Sequence, residues 1–119
     1  MSTFKNCFLS ERPDFNYDIL DPEGELIAKA HLLTADDRSY LQRHGMKNSY
    51  VNGEMVMDID LEKYTTATLF KALTWWVWEK KISVESIDDM SKELRQYLSE
   101  QINAHETEVA ETVEDAEKN

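Results

Sequence analysis

The 119-residue chain has one cysteine and three glycines, and each scarcity removes a class of function. A lone Cys7 cannot close an internal disulfide, which suits a reducing compartment, and no histidine signature marks it as a nucleophile. Gly24, Gly45 and Gly53 all stand at turn-like positions, so no glycine-rich loop is available to cradle phosphate. Long apolar runs are also missing. The stretch around the tryptophans is interrupted by Lys71, far short of the roughly 20 apolar residues that span a bilayer. There is no basic-then-apolar leader at the N-terminus. These absences predict a soluble protein of the cytoplasm with no membrane partner. Bases are scarce as well: 13 Lys and Arg stand against 24 Asp and Glu, a net charge of −11 that repels a phosphate backbone and argues against nucleic acid as a partner. A basic protein partner, or mimicry of DNA by the acidic chain itself, stays open.

Catalytic and metal-binding groups fare no better. His31, His44 and His105 fall in a strand, a helix end and a tail junction, without metal-ligand spacing among themselves or with Cys7. Asp36-Asp37, Asp58-x-Asp60 and Asp88-Asp89 sit at or near the starts of helices, where carboxylates cap backbone N–H groups and favour the dipole. With no nucleophile, general base, cofactor motif or metal site, the chain reads as non-enzymatic.

What is present is a set of local structure signals in a definite order. Residues 1–14 show no period and predict an irregular arm. Phe15, Tyr17 and Ile19 alternate with polar residues, as do Leu26, Ala28 and Ala30 beyond the turn Asp21-Pro22-Glu23-Gly24, which predicts a β-hairpin. Thr34 is placed to cap a short helix to His44, with Tyr40 and Leu41 inward and Gly45 as its stop. Asn52-Gly53 marks a second hairpin, with Met55, Met57 and Ile59 alternating on the way out. Its short first arm suggests a turn plus one edge strand.

The segment Asp58 to Lys80 then reads as one helix holding all three tryptophans. Leu61, Tyr64, Thr65, Thr68, Leu69, Ala72, Leu73, Trp76 and Val77 share its core face. Trp75 and Trp78 fall on a second face with Lys71 one turn earlier, an aromatic ridge suited to a partner. Ser83 caps a further long helix through Ile87, Met90, Leu94, Tyr97, Leu98 and Ile102 to about His105, stapled by Ile82 and Ile87. The last fourteen residues hold six acids and one base and predict a solvated, mostly disordered tail. The expected fold is therefore α+β: a small single domain over 15–105, one or two β-hairpins packed on three helices, the last two long helices antiparallel, with an arm at 1–14 and an acidic tail at 106–119. The candidate partner or oligomer surface comprises Trp75, Trp78, Lys71, Met55 and Met57.

This order of signals resembles the small tail assembly chaperones of long-tailed bacteriophages and prophages, over residues 15–105. The family's "L-T-x-x-D" step is matched by Leu33, Thr34 and Asp37. Its "G-x-x-x-x-D-x-x-x-Y" step toward a Trp-ending helix is met approximately by Gly53, Asp58 or Asp60, and Tyr64. Its "S-x-E-x-I-x-x-L" step is met by Ser83, Glu85 and Ile87, with Met90 in place of Leu. The pattern departs at Trp78-Glu79-Lys80-Lys81, which is shorter than the family's loop and lacks its Trp-Asn and Gly-Pro. The resemblance implies a non-enzymatic chaperone of the host bacterial cytoplasm. It would coat the helical tape measure protein before the tail tube polymerises, form homo-oligomers, and be absent from the mature virion. Met55, Met57 and Met90 would supplement the tryptophans as an adaptable apolar surface. The resemblance also implies a longer frameshifted form. Codons GAA-AAA-AAC for Glu117, Lys118 and Asn119 would supply the slippery heptamer A-AAA-AAC. Competing readings from other classes are an acidic phage-encoded regulator, inhibitor or DNA mimic, and a structural tail-completion protein.

Overall fold

A computed structural model describes residues 8–118 of the chain. The expected arm at 1–14 lies outside the described residues as far as Cys7. Beyond it, Leu9–Glu11 form one 3₁₀ turn, and Arg12 holds the Asp14 carboxylate through two hydrogen bonds of 2.8 and 2.9 Å. That guanidinium lowers the Asp14 carboxyl below the usual carboxylate range.

The protein is α+β, with two antiparallel sheets and four α-helices among the described residues. Strands β1 (Asn16–Leu20) and β2 (Leu26–His31) form the first predicted hairpin. Its turn is built by Asp21, whose Oδ1 accepts the N–H groups of Glu23 and Glu25, while Gly24 adopts a φ of +87°. Helix α1 (Ala35–His44) opens with a reciprocal cap: Asp37 N–H donates to Thr34 Oγ1 and Thr34 N–H donates to Asp37 Oδ2. Strands β3 (Met46–Val51) and β4 (Glu54–Ile59) make a complete second hairpin, with two strands of six residues each where a turn and one strand were expected.

The tryptophan segment departs most from the sequence reading. Helix α2 (Leu61–Ala72), capped by Asp60, stops before any tryptophan. Leu73 turns extended (φ −74°, ψ 128°), and Leu73–Trp76 become strand β5, antiparallel to β2. The sheet order is β1-β2-β5. Leu-Thr-Trp-Trp-Val-Trp is rich in β-branched and aromatic residues, which fit a pleated surface. The open edge of β2 supplies the partner that a helix-period count does not see. Helix α2 itself is buried on more than one side. Thr66, Ala67, Thr68, Leu69 and Ala72 are all enclosed, whereas Leu61, expected in the core stripe, is exposed.

The expected single helix from Ser83 is two. Ser83 caps α3 (Val84–Asp88) by accepting from Ser86 N–H, and the staple residues Ile82 and Ile87 pack into the core as expected. The chain then restarts at Ser91, whose Oγ accepts from Leu94 N–H, as α4 (Lys92–Lys118). The break is fixed by tertiary bonds: Asp88 accepts from the buried Thr66 hydroxyl (2.8 Å), and Asp89 pairs with Lys80 (3.1 Å). Thr66 Oγ1 in turn accepts from Arg95 Nη2 at 2.6 Å, tying α2, α3 and α4 at one atom. The stretch from 106, expected as a disordered tail, continues α4. Glu106 accepts from Leu33 N–H (2.6 Å) and from Arg38 (3.2 Å), and Val109 is buried, so the folded unit extends past His105. The core lies between the inner face of the three-stranded sheet and the helices, with Ile19, Ala28, Leu69, Trp76, Leu98 and Ile102 at its centre.

Gly45 joins α1 to the second hairpin. A Cβ there would stand 2.7 Å from Leu41 O, 2.7 Å from Tyr64 Cδ2 and 2.8 Å from Tyr64 Cα, and Gly45 C=O accepts from Asp60 N–H. Two of those atoms are backbone, so Gly45→Ala forces the α1–α2 junction apart. The expected cost is about 1–3 kcal/mol, the range for overpacking, read as a lower urea midpoint with an unchanged slope.

Candidate interaction surface

Among the described residues, two exposed apolar surfaces stand out, and they lie on different elements. The larger is the β3–β4 hairpin. Asn52 (φ +53°) and Gly53 (φ +81°) form a two-residue turn with both central residues left-handed, which matches the twist of the flanking strands. The turn fixes the register as Tyr50↔Met55, Asn48↔Met57 and Met46↔Ile59 on one face, and Val51↔Glu54, Ser49↔Val56 and Lys47↔Asp58 on the other. Side chains alternate across a strand, so the first face is apolar except for Asn48 and the second is mostly polar. The apolar face meets no core. Tyr50 is 75% exposed, Met55 61% and Met57 62%, with Ile59 and Leu61 beside them also open. Every residue of β4 is exposed, and in β3 only Met46 and Ser49 are half-buried. No described residue covers either face. A patch of this kind on a folded chain marks a surface for another molecule.

The second surface is the edge strand β5. Its register slips between Lys29 and Ala30, so Thr74 is an extra residue whose hydroxyl donates to Lys29 C=O (3.2 Å). Beyond this bulge Trp76 points inward opposite Ala28 and Trp75 points outward opposite Lys29. Trp76 is 6% exposed, and its Nε1 donates to Lys80 C=O at 2.6 Å. Trp78 follows Trp76 onto the inner side and meets it edge-on, with ring centroids 5.8 Å apart at 68°. The two rings, Met90 and Leu94 line a groove of about 330 Å³ with the Lys80–Asp89 pair at its rim.

The predicted ridge is thereby corrected. Trp75 and Trp78 are both partly exposed, at 43% and 37%, but Trp75 points outward from β5 while Trp78, past the strand's end, lies against Trp76 on the inner side. Lys71 joins neither, since its ammonium lies 4.5 Å from the Tyr40 ring centre and 5.7 Å from that of Phe70, on the α1–α2 side. Met55 and Met57 do lie together on the hairpin. Tyr50 and Ile59 belong with them, and the signal that locates them is the register the Asn-Gly turn imposes on an odd-even count.

The titratable groups are engaged structurally. His105 stacks on Tyr17 with centroids 3.7 Å apart, and its Nε2 lies 2.9 Å from Asp14 O. Burial, with the Glu106 charge adding, pushes the Tyr17 hydroxyl up. His31 stacks on Phe15, and its Nδ1 lies 2.7 Å from Leu32 O. Among the described residues, no group of three His, Cys, Asp or Glu side chains is placed to hold a metal ion. Within that same span, no helix is long and apolar enough to cross a membrane.

Opposite tryptophan faces give a direct optical test. Trp75→Phe should remove a large part of the emission quenchable by acrylamide, Trp78 supplying the remainder, and leave the melting temperature nearly unchanged. Trp76→Phe should remove the blue-shifted component and lower the melting temperature, because its indole is buried and bonded. Compared with protein families, with curated proteins and with solved structures, the chain shows no match.

Proposed function

We propose that this protein is a non-enzymatic binding protein that shields an apolar, helical partner, and that the partner is a tape measure protein awaiting phage tail assembly. The observation that carries the reading is the uncovered apolar face of the β3–β4 hairpin, with Tyr50, Met55 and Met57 all more than half exposed. Such a face in a chain of net charge −11 is not needed for solubility and has no described partner within the fold. Its dimensions suit a helix. Six residues at about 3.3 Å each make a ribbon roughly 20 Å long. Two strands with their side chains are about as wide as the 10–12 Å diameter of a helix. A partner helix would therefore place about four apolar anchors, at helical spacing, along the ribbon. Three unbranched methionines at or near exposed surfaces (Met55, Met57, Met90) let the contact adapt to irregular sequence. The acidic body adds attraction for basic residues flanking those anchors and speeds encounter. The resemblance noted from sequence supplies the partner's identity; the exposed face supplies the physical means.

The test is co-expression with the longest helical protein encoded nearby. The wild-type chain should keep that protein soluble and co-purify with it. A Tyr50→Lys/Met55→Lys/Met57→Lys variant should fold with a melting temperature close to wild type, as exposed sites shift stability by about 0.5 kcal/mol or less each. It should lose most of the co-purified partner. An insoluble partner beside wild-type protein, or undiminished recovery with the triple variant, overturns the reading.

A further inference from the structure

We infer that the outer edge of β3 is a self-association site, at which a second copy of this chain pairs antiparallel about a twofold axis through Asn48. The inference goes beyond the proposed function and requires no partner protein. In a two-residue hairpin the pair flanking the turn is hydrogen-bonded, and bonded and non-bonded pairs then alternate. Val51↔Glu54 is that first pair, and the bond from Asp60 N–H to Gly45 C=O at 2.9 Å confirms the alternation at the far end. The backbone N–H and C=O groups of Met46, Asn48 and Tyr50 therefore point away from β4, and those of Met55, Met57 and Ile59 point away from β3. Both edges are templates for another strand, but they are not equivalent.

The β4 edge is partly closed. Ile59 N–H, one of its three outward donors, is held by Asp58 Oδ1 at 2.8 Å. That strand also carries two acids, Glu54 and Asp58, with no base. Antiparallel pairing of β4 with its copy about Met57 would set Val56 against Asp58 and bring Glu54 opposite Asp60, acid against acid. On the β3 edge no described residue takes the outward N–H groups, and Lys47 is the single charge. A twofold axis at Asn48 sets Asn48 against Asn48, Met46 against Tyr50 and Lys47 against Ser49, with no like charges opposed. Two copies of a chain of net charge −11 repel at longer range, but little of that charge lies at this edge, because the hairpin strands hold one lysine and two acids. The product is a four-stranded sheet, β4-β3-β3-β4, whose apolar face is continuous across both copies. It thereby gains the strand number that a lone ribbon lacks.

Sedimentation equilibrium and cysteine pairing test this on the full chain. The wild type should sediment at twice its 13.9 kDa monomer mass at high concentration. Asn48→Pro removes an outward donor while keeping every bond within the hairpin, and should sediment as a monomer with unaltered near-ultraviolet circular dichroism. Met57→Pro, its counterpart on the β4 edge, should remain dimeric. In a Cys7→Ser background, Asn48→Cys should form a disulfide-linked dimer under mild oxidation, since opposed residues of such a pair lie about 5.5 Å apart at Cα. Met57→Cys should not. A wild type that stays monomeric at hundreds of micromolar overturns the proposal. So does cross-linking through position 57 and not 48, or dissociation by Met57→Pro alone.

Discussion

Two antiparallel strands bury too little to hold together alone in water, and this chain contains two such ribbons. The first is completed. β5 adds a third strand to β1–β2, and α2 and α4 cover the inner face through Leu69, Leu98 and Ile102. The second is left largely bare on both faces, with only Met46 and Ser49 of its described residues half-buried. Among the described residues its anchorage lies at the base, where Gly45 is pressed against Tyr64 and accepts from Asp60. The contrast is written in the sequence order. The chain returns from α2 to complete the first sheet, carrying Trp76 inward, and among the described residues no later segment returns to the second.

Ending α2 at Ala72 has a cost that the site compensates. Helix-forming residues precede the break, and Leu69, Ala72, Leu73 and Trp76 keep a helical period across it. The extended run from Leu73 is stabilised by ladder bonds to β2, by Val77 N–H donating to Ile27 C=O, and by burial of an indole whose nitrogen finds Lys80 C=O. Burying that side chain contributes on the order of 3 kcal/mol. Thr74 absorbs the register mismatch as a bulge, which is why the strand reads buried-exposed-exposed-buried where strict alternation would be expected.

What was legible in the sequence is what local chemistry decides. Thr34 with Asp37, Asp21 with Gly24, Asn52-Gly53, Ser83 with its flanking isoleucines, and Gly45 each satisfy backbone groups within a few residues, and each sits where its type predicts. What was not legible depended on contacts distant in sequence. Leu73–Trp76 fits a helix by period and a strand by composition, and only β2, more than forty residues earlier, decides. The break at Ser91 depends on Thr66 meeting Asp88 and Arg95. Glu106 looked like the start of a solvated acidic run, yet it accepts from Leu33 N–H, seventy-three residues away. At the candidate surface, Met55 and Met57 were readable because alternation is local. The supposed partnership of Trp75, Trp78 and Lys71 was not, since it presumed the wrong period.

Size decides how a bare ribbon can function. Specific protein–protein interfaces bury on the order of 800 Å² per partner. One ribbon roughly 20 Å long and one helix wide offers well under that. A single copy would therefore hold a helix weakly, with rapid release. Pairing two copies along β3 doubles the continuous apolar face without adding a residue, and tethers two weak contacts so that the second forms at high effective concentration. On the proposed reading, binding would then depend steeply on the concentration of this protein. A shield of that kind grips a long apolar helix while copies are abundant and lets go as they are diluted or displaced, with no need for a hydrolysable cofactor to drive release.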